Sequence, residues 1–459
     1  METYPMKVLI VASEMNPIAK VGGLADVVGA LPKALPKAQV DCSIALPYYR
    51  DISTKALSID PQSTDISVLF DEQEYVVKIH TAQLSGLKAK IYLFYNYHFL
   101  SNGGIYFSQS AFCDSKREVD RFAFFSSAVN EAVRQNIIAC DVIHCNDWHT
   151  GNLVKLTAKP TLFTIHNIAN QGKLGRGPNY MALGIDNATI VNTVSNTYVK
   201  ELMSPRFGEG LSNNIIARKK DFYGVLNGID YDYFNPSTDK TIYRQYSAKT
   251  IDHKSANKIF LLTKCGLSTT NGPLISLVSR LTQQKGIDIV VKSLKKYLSK
   301  YDATFVALGV GNRVYEQELR QLQKLFPKKV KVFIEFNDEL ARQIFAAADI
   351  FLMPSRFEPC GLGQMISMRF GTIPIVHRTG GLYDSVEHNQ NGFVFNGLKT
   401  ATLTQAIINA TEQYSHKQAQ WRKMMLRGMA TDCSWLRSAK QYVKLYQLTI
   451  KQYAKSHRH

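Results

Sequence analysis

The feature that most constrains this chain is the alternation of short, wholly apolar segments with longer segments of helical periodicity. The short segments are rich in Val, Ile, Leu and Phe and do not alternate with polar residues, so both faces of each predicted strand should be buried. That pattern is typical of parallel sheets covered by helices on both sides. The predicted strands form two sets, residues 7–13, 42–47, 141–145, 161–165, 188–195 and 224–226, and then residues 274–279, 303–308, 331–334, 349–353 and 372–376.

A polar stretch rich in Asn, Asp, Pro and Ser, residues 227–238, separates the two sets. We therefore predict an α/β protein of two doubly wound, Rossmann-like domains, with the boundary near residues 240–260. Residues 435–453 have the periodicity of a single amphipathic helix. Ligands of open α/β sheets bind beyond the carboxyl ends of the strands, so the informative residues should follow the strands directly.

The composition fits a globular enzyme and narrows its partners. The 459 residues, 45% hydrophobic and 20% charged, suffice for two domains that each bury a core. The excess of 55 Lys and Arg over 37 Asp and Glu, a formal charge of +18, suits phosphorylated ligands or reflects a general compositional habit. Because the cations form no basic stripe with interleaved aromatics, we expect no nucleic-acid partner.

Nothing in the sequence predicts a leader or a membrane segment. The first apolar run, residues 8–12, is too short for a signal-peptide core, and no run approaches the roughly 18 apolar residues that cross a bilayer. Seven cysteines without a CxxC pair fit reduced thiols. We expect a cytoplasmic protein, and the sequence does not indicate its oligomeric state.

The first predicted strand leads into Lys20-Val-Gly22-Gly23-Leu, which precedes a helical run. Adjacent glycines at a helix start let backbone N–H groups approach an anion, and the helix dipole adds favourable charge there. Lys20 would add a full positive charge. The loop is thus a candidate phosphate site, with a tight turn beside a solvated lysine as the alternative.

The second set of strands opens with Arg280 and Lys285, five residues apart between a strand end and a helix. Two cations so placed can grip a diphosphate and stabilise it as a leaving group, whereas the alternative is two surface cations. Glu358 follows a later strand, in a loop that continues through Gly361, Leu362 and Gly363 into a helix. A carboxylate near phosphates should face sugar hydroxyls or an oxocarbenium-like centre, unless it only caps that helix.

Three further segments follow predicted strands. Thr379-Gly380-Gly381 repeats the arrangement of two glycines before a helix. Asp147 and His166 are placed to hydrogen-bond sugar hydroxyls, and Trp148 could pack under a sugar face. The alternatives are satisfied polar residues at strand ends and, for Trp148, an ordinary core residue.

Two groups of residues have a spacing similar to that of metal ligands. Cys140, His144, Cys145 and His149 have suggestive spacing, but they lie along a predicted strand whose successive side chains point to opposite faces. The Asp-x-Asp at residues 230–232 falls in a predicted turn. We expect neither a metal ion nor a cofactor.

The motifs quoted above, with Asn227-Gly-Ile-Asp230 and Cys433-Ser-Trp435, follow the order and spacing of one family over nearly the whole chain. The chain resembles the bacterial glycogen synthase and plant starch synthase family, which has the GT-B fold. The resemblance implies two Rossmann-like domains facing a central cleft. It assigns residues 1–245 to an acceptor-side domain, 246–435 to a nucleotide-sugar-binding domain and 436–459 to a helix that packs back on the first domain.

The resemblance also implies an activity: retaining transfer of glucose from ADP-glucose, or from UDP-glucose, to the non-reducing end of an α-1,4-glucan. His166 would lie at the C6 side of the glucosyl group, Asp147 near the acceptor, and Phe336 where the family has a base-stacking tyrosine. The implied catalytic residues are Glu358, His166, Asp147, Arg280 and Lys285. The implied donor-binding residues are Lys20, Gly22, Gly23, Phe336, Gly361, Leu362, Gly363, Thr379, Gly380 and Gly381.

Two departures keep other functions open. The chain has Gly363-Gln-Met-Ile366 where the family has Thr-Gln-Leu-Tyr, and residues 171–181 form a shorter segment than the family's, on the acceptor side. The second hypothesis is a glycosyltransferase of the same fold with another acceptor, such as a surface polysaccharide or a short oligosaccharide. The third is a non-catalytic glucan-binding protein.

Overall fold

The computed structural model describes residues 5–107 and 116–457. The chain divides into two compact units, one comprising the residues up to Asn227 together with those from Trp435 onward, and the other comprising Gly228–Ser434. Each unit is an α/β sheet covered by helices, so the predicted fold class is confirmed. In the part of the chain described, no helix combines the length and apolarity needed to cross a membrane.

The first unit is built on a nine-stranded sheet with the order β3-β4-β5-β2-β1-β6-β7-β8-β9. Its strands are β1 Met6–Val11, β2 Val40–Pro47, β3 Leu57–Phe70, β4 Gln73–Leu84, β5 Lys90–Tyr95, β6 Val142–Asn146, β7 Thr161–Ile165, β8 Ile190–Thr193 and β9 Phe222–Gly224. Its first helices are α1 Gly23–Ala34, α2 Lys116–Arg134, α3 Gly151–Leu156, α4 Tyr180–Asn187, α5 Asn196–Leu202 and α6 Ser212–Ala217. Phe122, Phe124 and Phe125 of α2 are buried in the apolar core on one face of this sheet.

One edge of this sheet departs from the parallel pairing that the sequence predicts. Strands β3 and β4 form a long antiparallel hairpin, and β4 also pairs antiparallel with β5, which returns the sheet to parallel pairing with β2. The hairpin escapes an apolar-run criterion because much of β3 is exposed and polar, and its register shifts between Ile59 and Ser63, where Pro61 cannot donate to the ladder.

The second unit has a six-stranded, wholly parallel sheet with the order β12-β11-β10-β13-β14-β15. Its strands are β10 Leu274–Val278, β11 Thr304–Leu308, β12 Val330–Phe333, β13 Ile350–Met353, β14 Ile373–His377 and β15 Phe393–Phe395. Its helices are α7 Lys254–Lys264, α8 Ile287–Leu298, α9 Arg313–Leu325, α10 Asp338–Ala347, α11 Gly363–Arg369, α12 Gly380–Ser385, α13 Thr400–His416 and α14 Gln418–Ala430.

The observed division differs from the expected domain boundary. The expected boundary follows residue 245, whereas the first unit ends at Asn227 and residues 228–245 belong to the second unit. Hydrogen bonds explain the difference: Gln343 Nε2 donates to the Thr241 carbonyl at 2.9 Å, and the neighbouring Tyr246 hydroxyl donates to the Phe370 carbonyl at 2.7 Å. A polar segment without periodicity gave no sign of these long-range contacts.

The last helix, α15 Trp435–Ser456, belongs to the first unit, as the resemblance implied. Its Tyr442 and Tyr446 are fully buried in the core that also contains residues of α1. The Tyr446 hydroxyl lies 2.9 Å from Nδ1 of His144 on β6, and the Ser438 hydroxyl donates to the Leu226 carbonyl at 2.6 Å. The helix is therefore an integral layer of that unit rather than an appendage.

Candidate active site

In the first unit, Asp147 directly follows β6 and is held by the loop after β7. Its Oδ1 accepts hydrogen bonds from the backbone N–H groups of His166 at 2.7 Å and Asn167 at 3.3 Å. Its backbone has a positive φ of 55°, which few non-glycine residues adopt and which is common at functional sites. Burial raises the pKa of Asp147 to about 7, although the two N–H donors oppose that shift. Its predicted contact with the acceptor stays a prediction.

The His166 side chain is fixed by a residue that the sequence reasoning missed, Asn146. Asn146 Nδ2 donates to the carbonyls of Val11 and His144, so its Oδ1 faces Nε2 of His166 at 2.9 Å. Nε2 therefore carries the proton, and Nδ1 retains the lone pair. Burial lowers the pKa of His166 to about 3, so the ring is neutral at physiological pH. Such a ring can accept a hydrogen bond from a sugar hydroxyl.

Trp148 is a core residue, and its predicted role as a sugar platform is wrong. The ring packs edge-on against Phe122 and is buried within the first unit's core. Gly172 closes over it: a Cβ added at Gly172, which has a φ of 57°, would lie 2.0 Å from a ring carbon of Trp148. The ring therefore has no face available to a ligand.

The Lys20–Gly23 loop lies where the sequence predicts, at the start of α1, but its amides have a partner within the protein. The carboxylate of Glu14 accepts from the Val21 N–H at 2.7 Å and the Gly22 N–H at 2.6 Å. Lys20 Nζ lies 2.6 Å from the Asp26 carboxylate, in a largely exposed ion pair. Gly22 was expected to offer its N–H to a ligand anion, and in this structure that donor is engaged.

In the second unit, the two cations predicted to bind phosphate and the predicted carboxylate line the same pocket. A pocket of about 200 Å³ opens at the carboxyl ends of β10 and β13. Six of the predicted residues line it, namely Arg280, Lys285, Glu358, Gly361, Leu362 and Gly363. Separate loops thus converge at the edge of the sheet where open α/β folds bind ligands.

Lys285 and Glu358 form a close ion pair in this pocket. Lys285 Nζ lies 2.5 Å from Oε2 of Glu358, and the two side chains are 16% and 9% exposed. The Ser355 hydroxyl, which sequence reasoning missed, donates to the same oxygen at 3.0 Å. Glu358 therefore does not cap α11, whose first turn follows Leu362. Lys285 instead offsets the carboxylate charge that a neighbouring phosphate would otherwise oppose.

Glycines allow the loops around this pair to pack closely. Gly286 has a φ of 69°, and a Cβ there would lie 2.3 Å from the Pro354 carbonyl oxygen. Gly380 has a φ of 40°, and a Cβ there would lie 2.0 Å from the Glu358 carbonyl oxygen, which accepts from the Gly381 N–H at 3.0 Å. The second Gly-Gly pair thus anchors the Glu358 loop. Donor binding by Thr379, Gly380 and Gly381 remains a prediction.

Two other side chains of the second unit have different environments. Arg356 is paired with Asp288, and its Nη2 lies within 3.0 Å of both carboxylate oxygens. Phe336 follows β12 and is 88% exposed, the most exposed large apolar side chain among the residues described. An exposed aromatic ring is free to stack on a planar ligand, although Phe336 does not line the pocket.

The two units define a class of protein. The family model described as starch synthase catalytic domain matches residues 7–217, and the model described as glycosyl transferases group 1 matches residues 266–424. The fold is shared with a sucrose-phosphate synthase from Thermosynechococcus elongatus, at 15% identity and a TM-score of 0.64, over 97% of this chain and 99% of that chain. The chain is a glycosyltransferase of the GT-B fold.

Closer relatives narrow the class to a family. Curated glycogen synthases from Thermosipho melanesiensis and Geotalea daltonii are 39% and 38% identical to this chain, cover 96% and 97% of it, and are themselves covered to 98% and 99%. A structure of the catalytic domain of starch synthase IV from Arabidopsis thaliana, bound to ADP and acarbose, matches 98% of this chain and 100% of its own, with 31% identity and a TM-score of 0.84. The chain belongs to the glycogen synthase and starch synthase family.

Proposed function

We propose that this enzyme transfers glucose from ADP-glucose to the non-reducing end of an α-1,4-glucan, with retention of configuration at the anomeric carbon. The observation that carries the proposal is the pocket that joins Arg280, Lys285 and Glu358 at the carboxyl ends of β10 and β13. The relative's structure with ADP and acarbose supports the nature of both substrates. The cytoplasmic location predicted from the sequence stays a prediction.

In this proposal the second unit binds the sugar diphosphate. The pocket presents two cations and one carboxylate, so its charge suits an anion even though Lys285 is paired with Glu358. As the bond between glucose and the diphosphate breaks, negative charge grows on the diphosphate. Fixed cations stabilise that charge without a metal ion. Glu358, held by Lys285 and Ser355, would face the positive charge that develops on the sugar.

The first unit would supply neutral groups that orient the sugars. Neutral His166 has an acceptor nitrogen for a sugar hydroxyl, and Asp147 holds the His166 backbone in place. Such groups position the glucosyl unit and the attacking 4-hydroxyl, which accounts for much of the rate gain in group transfer.

One departure from the family pattern has a local explanation. Gly363 stands where the family has threonine, and a Cβ at this position would lie 2.9 Å from the ring of Phe351. The bulky Phe351 side chain therefore leaves no room for a threonine without rearrangement. Gly363 begins α11, and its backbone N–H remains at the N-terminus of that helix for a donor phosphate.

The experiment that tests this function is a donor-by-acceptor assay. Labelled ADP-glucose and UDP-glucose are each incubated with glycogen, with maltooligosaccharides and with no acceptor. We expect transfer to glucan chains, faster from ADP-glucose than from UDP-glucose. Absence of both transfer and donor hydrolysis would contradict the proposal and favour the glucan-binding protein.

A second candidate is transfer to a different or shorter acceptor, and residues 171–181 favour it. This short segment closes on itself: Asn179 Nδ2 donates to the Gln171 side chain at 2.6 Å, and the Met181 N–H donates to the Gln171 carbonyl at 3.0 Å. A closed turn offers less surface to a long glucan than an extended loop would. Activity on maltooligosaccharides without activity on glycogen would select this candidate.

A further inference from the structure

Glu14 is a buried carboxylate that joins two segments of the first unit. It follows β1, is 4% exposed, and accepts three hydrogen bonds. Oε2 accepts from the Val21 and Gly22 N–H groups at 2.7 and 2.6 Å, and Oε1 accepts from the Tyr106 hydroxyl at 2.7 Å. These three bonds join the Val21–Gly22 backbone and the Tyr106 side chain through a single carboxylate.

The Tyr106 side of this junction is itself well anchored. The Tyr106 hydroxyl lies 3.1 Å from the Ser13 hydroxyl, and burial raises its pKa well above the ordinary value, so it stays a neutral donor. Fully buried Arg121 donates to the Gly104 and Ile105 carbonyls at 2.6 and 3.0 Å, directly before Tyr106. The residues directly before Tyr106 are therefore held in place by Arg121, and Tyr106 itself is held by Ser13 and Glu14.

The opposite side of the junction carries Lys20. Val21 is 65% exposed, so the loop gains little from burial of its own side chains. The mutual backbone bonds of Met15 and Ala19 hold the chain before Lys20, and the two bonds to Glu14 hold the backbone directly after it. The same two bonds use the amides that a glycine-rich loop would otherwise offer to a phosphate group.

We propose that Glu14 is a positioning residue for donor binding: it holds the Lys20–Gly22 backbone against Tyr106, so that the Lys20 side chain, and not the Val21 and Gly22 amides, binds the donor diphosphate. This inference rests on the proposed function. It assigns Glu14 a geometric role, which depends on its acceptor atoms rather than on its charge.

Glutamine separates these two properties. The side-chain carbonyl of a glutamine at position 14 can accept from both loop amides, and its NH2 group can donate to the Tyr106 hydroxyl, which then acts as acceptor. Glu14→Gln thus retains the junction without the charge, whereas Glu14→Ala removes both. Glu14→Asp keeps the charge but is one methylene shorter, so it cannot reach all three donors.

The test compares the KM for ADP-glucose, the KM for glucan, kcat and the Kd for ADP across these variants. We expect Glu14→Ala to raise the KM for ADP-glucose and the Kd for ADP by about 10-fold or more, because a small misplacement of a binding group is costly. Glu14→Asp should give a smaller loss, Glu14→Gln should stay within about threefold of the wild type, and the KM for glucan should not change. Glu74→Ala, which removes an exposed carboxylate of the same unit, is the matched control.

Amide hydrogen exchange supplies a readout that does not depend on turnover. Protection at Val21 and Gly22 should be present in the wild type and in Glu14→Gln, and it should fall in Glu14→Asp, which serves if Glu14→Ala does not fold. The proposal is overturned if Glu14→Ala binds ADP normally or more tightly, or if Glu14→Gln is as impaired as Glu14→Ala. A wild type that transfers from no sugar nucleotide would contradict the proposed function instead, and exchange at the two amides would still test the role of Glu14.

Discussion

The two units stabilise their buried carboxylates in different ways. Glu358 of the second unit is paired with the Lys285 ammonium group at 2.5 Å, whereas the partners of the Asp147 carboxylate among the described residues are neutral backbone N–H groups. Burial without a nearby opposite charge disfavours ionisation, and it raises the pKa of Asp147 to about 7. The second unit is thus organised around charge, as a diphosphate requires, and the first around neutral hydrogen-bonding groups, as sugar hydroxyls require.

The largest effect should come from breaking the ion pair of the second unit. Glu358→Ala and Lys285→Ala should each lower kcat by more than about 100-fold, because each removes an electrostatic contact made in the transition state. Steady-state kinetics on folded protein measure this, with the exposed Lys292→Ala in the neighbouring helix as control. Near-normal turnover in both variants would remove the catalytic role of the pair.

A smaller effect is expected at the neutral site of the first unit. His166→Ala should lower kcat/KM by about 10- to 100-fold, the scale of losing a positioning contact. Since burial lowers the pKa of His166 to about 3, the pH profile of kcat/KM should show no ionisation of this residue between pH 5 and 8. A limb in that range that disappears in His166→Gln would show that the histidine ionises there, which would contradict the lowered pKa.

The exposed ring of Phe336 should contribute less. Phe336→Ala should raise the KM for ADP-glucose by about 5- to 10-fold through the loss of base stacking, which is worth about 1–3 kcal/mol per base in other systems. Phe336→Tyr, which retains the ring, should stay close to the wild type. Unchanged donor KM in Phe336→Ala would exclude stacking by this residue.

The pH dependence of the melting temperature tests whether Asp147 lies among neutral groups, in contrast to Glu358. The expected effect is a few degrees in Tm. The pKa of Asp147 is about 7 in the folded state and lies near 3.9 when unfolded, so the folded protein should lose stability as pH rises from about 4 to 7. Asp147→Asn keeps an oxygen acceptor for the two N–H donors and removes the ionisable group, and with it this pH dependence. The Tm of the variant minus that of the wild type should therefore increase toward pH 7. A difference that does not change with pH would contradict the raised pKa of Asp147.

Much of this fold is readable from the sequence because its strands are uniformly apolar. The predicted strand at residues 161–165 coincides with β7, and the other predicted strands are present with ends shifted by a few residues. The β3–β4 hairpin was missed because its stability comes from pairing and a bulge rather than from an apolar run. The domain boundary was misplaced because a hydrogen bond from Gln343 to the Thr241 carbonyl, between residues far apart in the chain, leaves no local pattern.

In the candidate site, too, long-range contacts could not be predicted from the sequence. The position of Glu358, Arg280 and Lys285 after strands was enough to predict a shared pocket, since topology alone brings those strand ends together. Their pairing was not predictable, because a distance of 2.5 Å between Lys285 and Glu358 depends on how Gly286 lets two loops pack. Asn146, Ser355 and Glu14 were missed since a buried polar residue is recognised only by its partners.

The most direct test of the central claim is calorimetric binding of ADP and of adenosine to the wild type, Arg280→Ala and Lys285→Ala. If the pocket of the second unit grips a diphosphate, each variant should lose ADP affinity by at least about 10-fold, the effect of one charge-assisted contact, while adenosine binds all three proteins alike. Equal ADP affinity in all three would contradict the account.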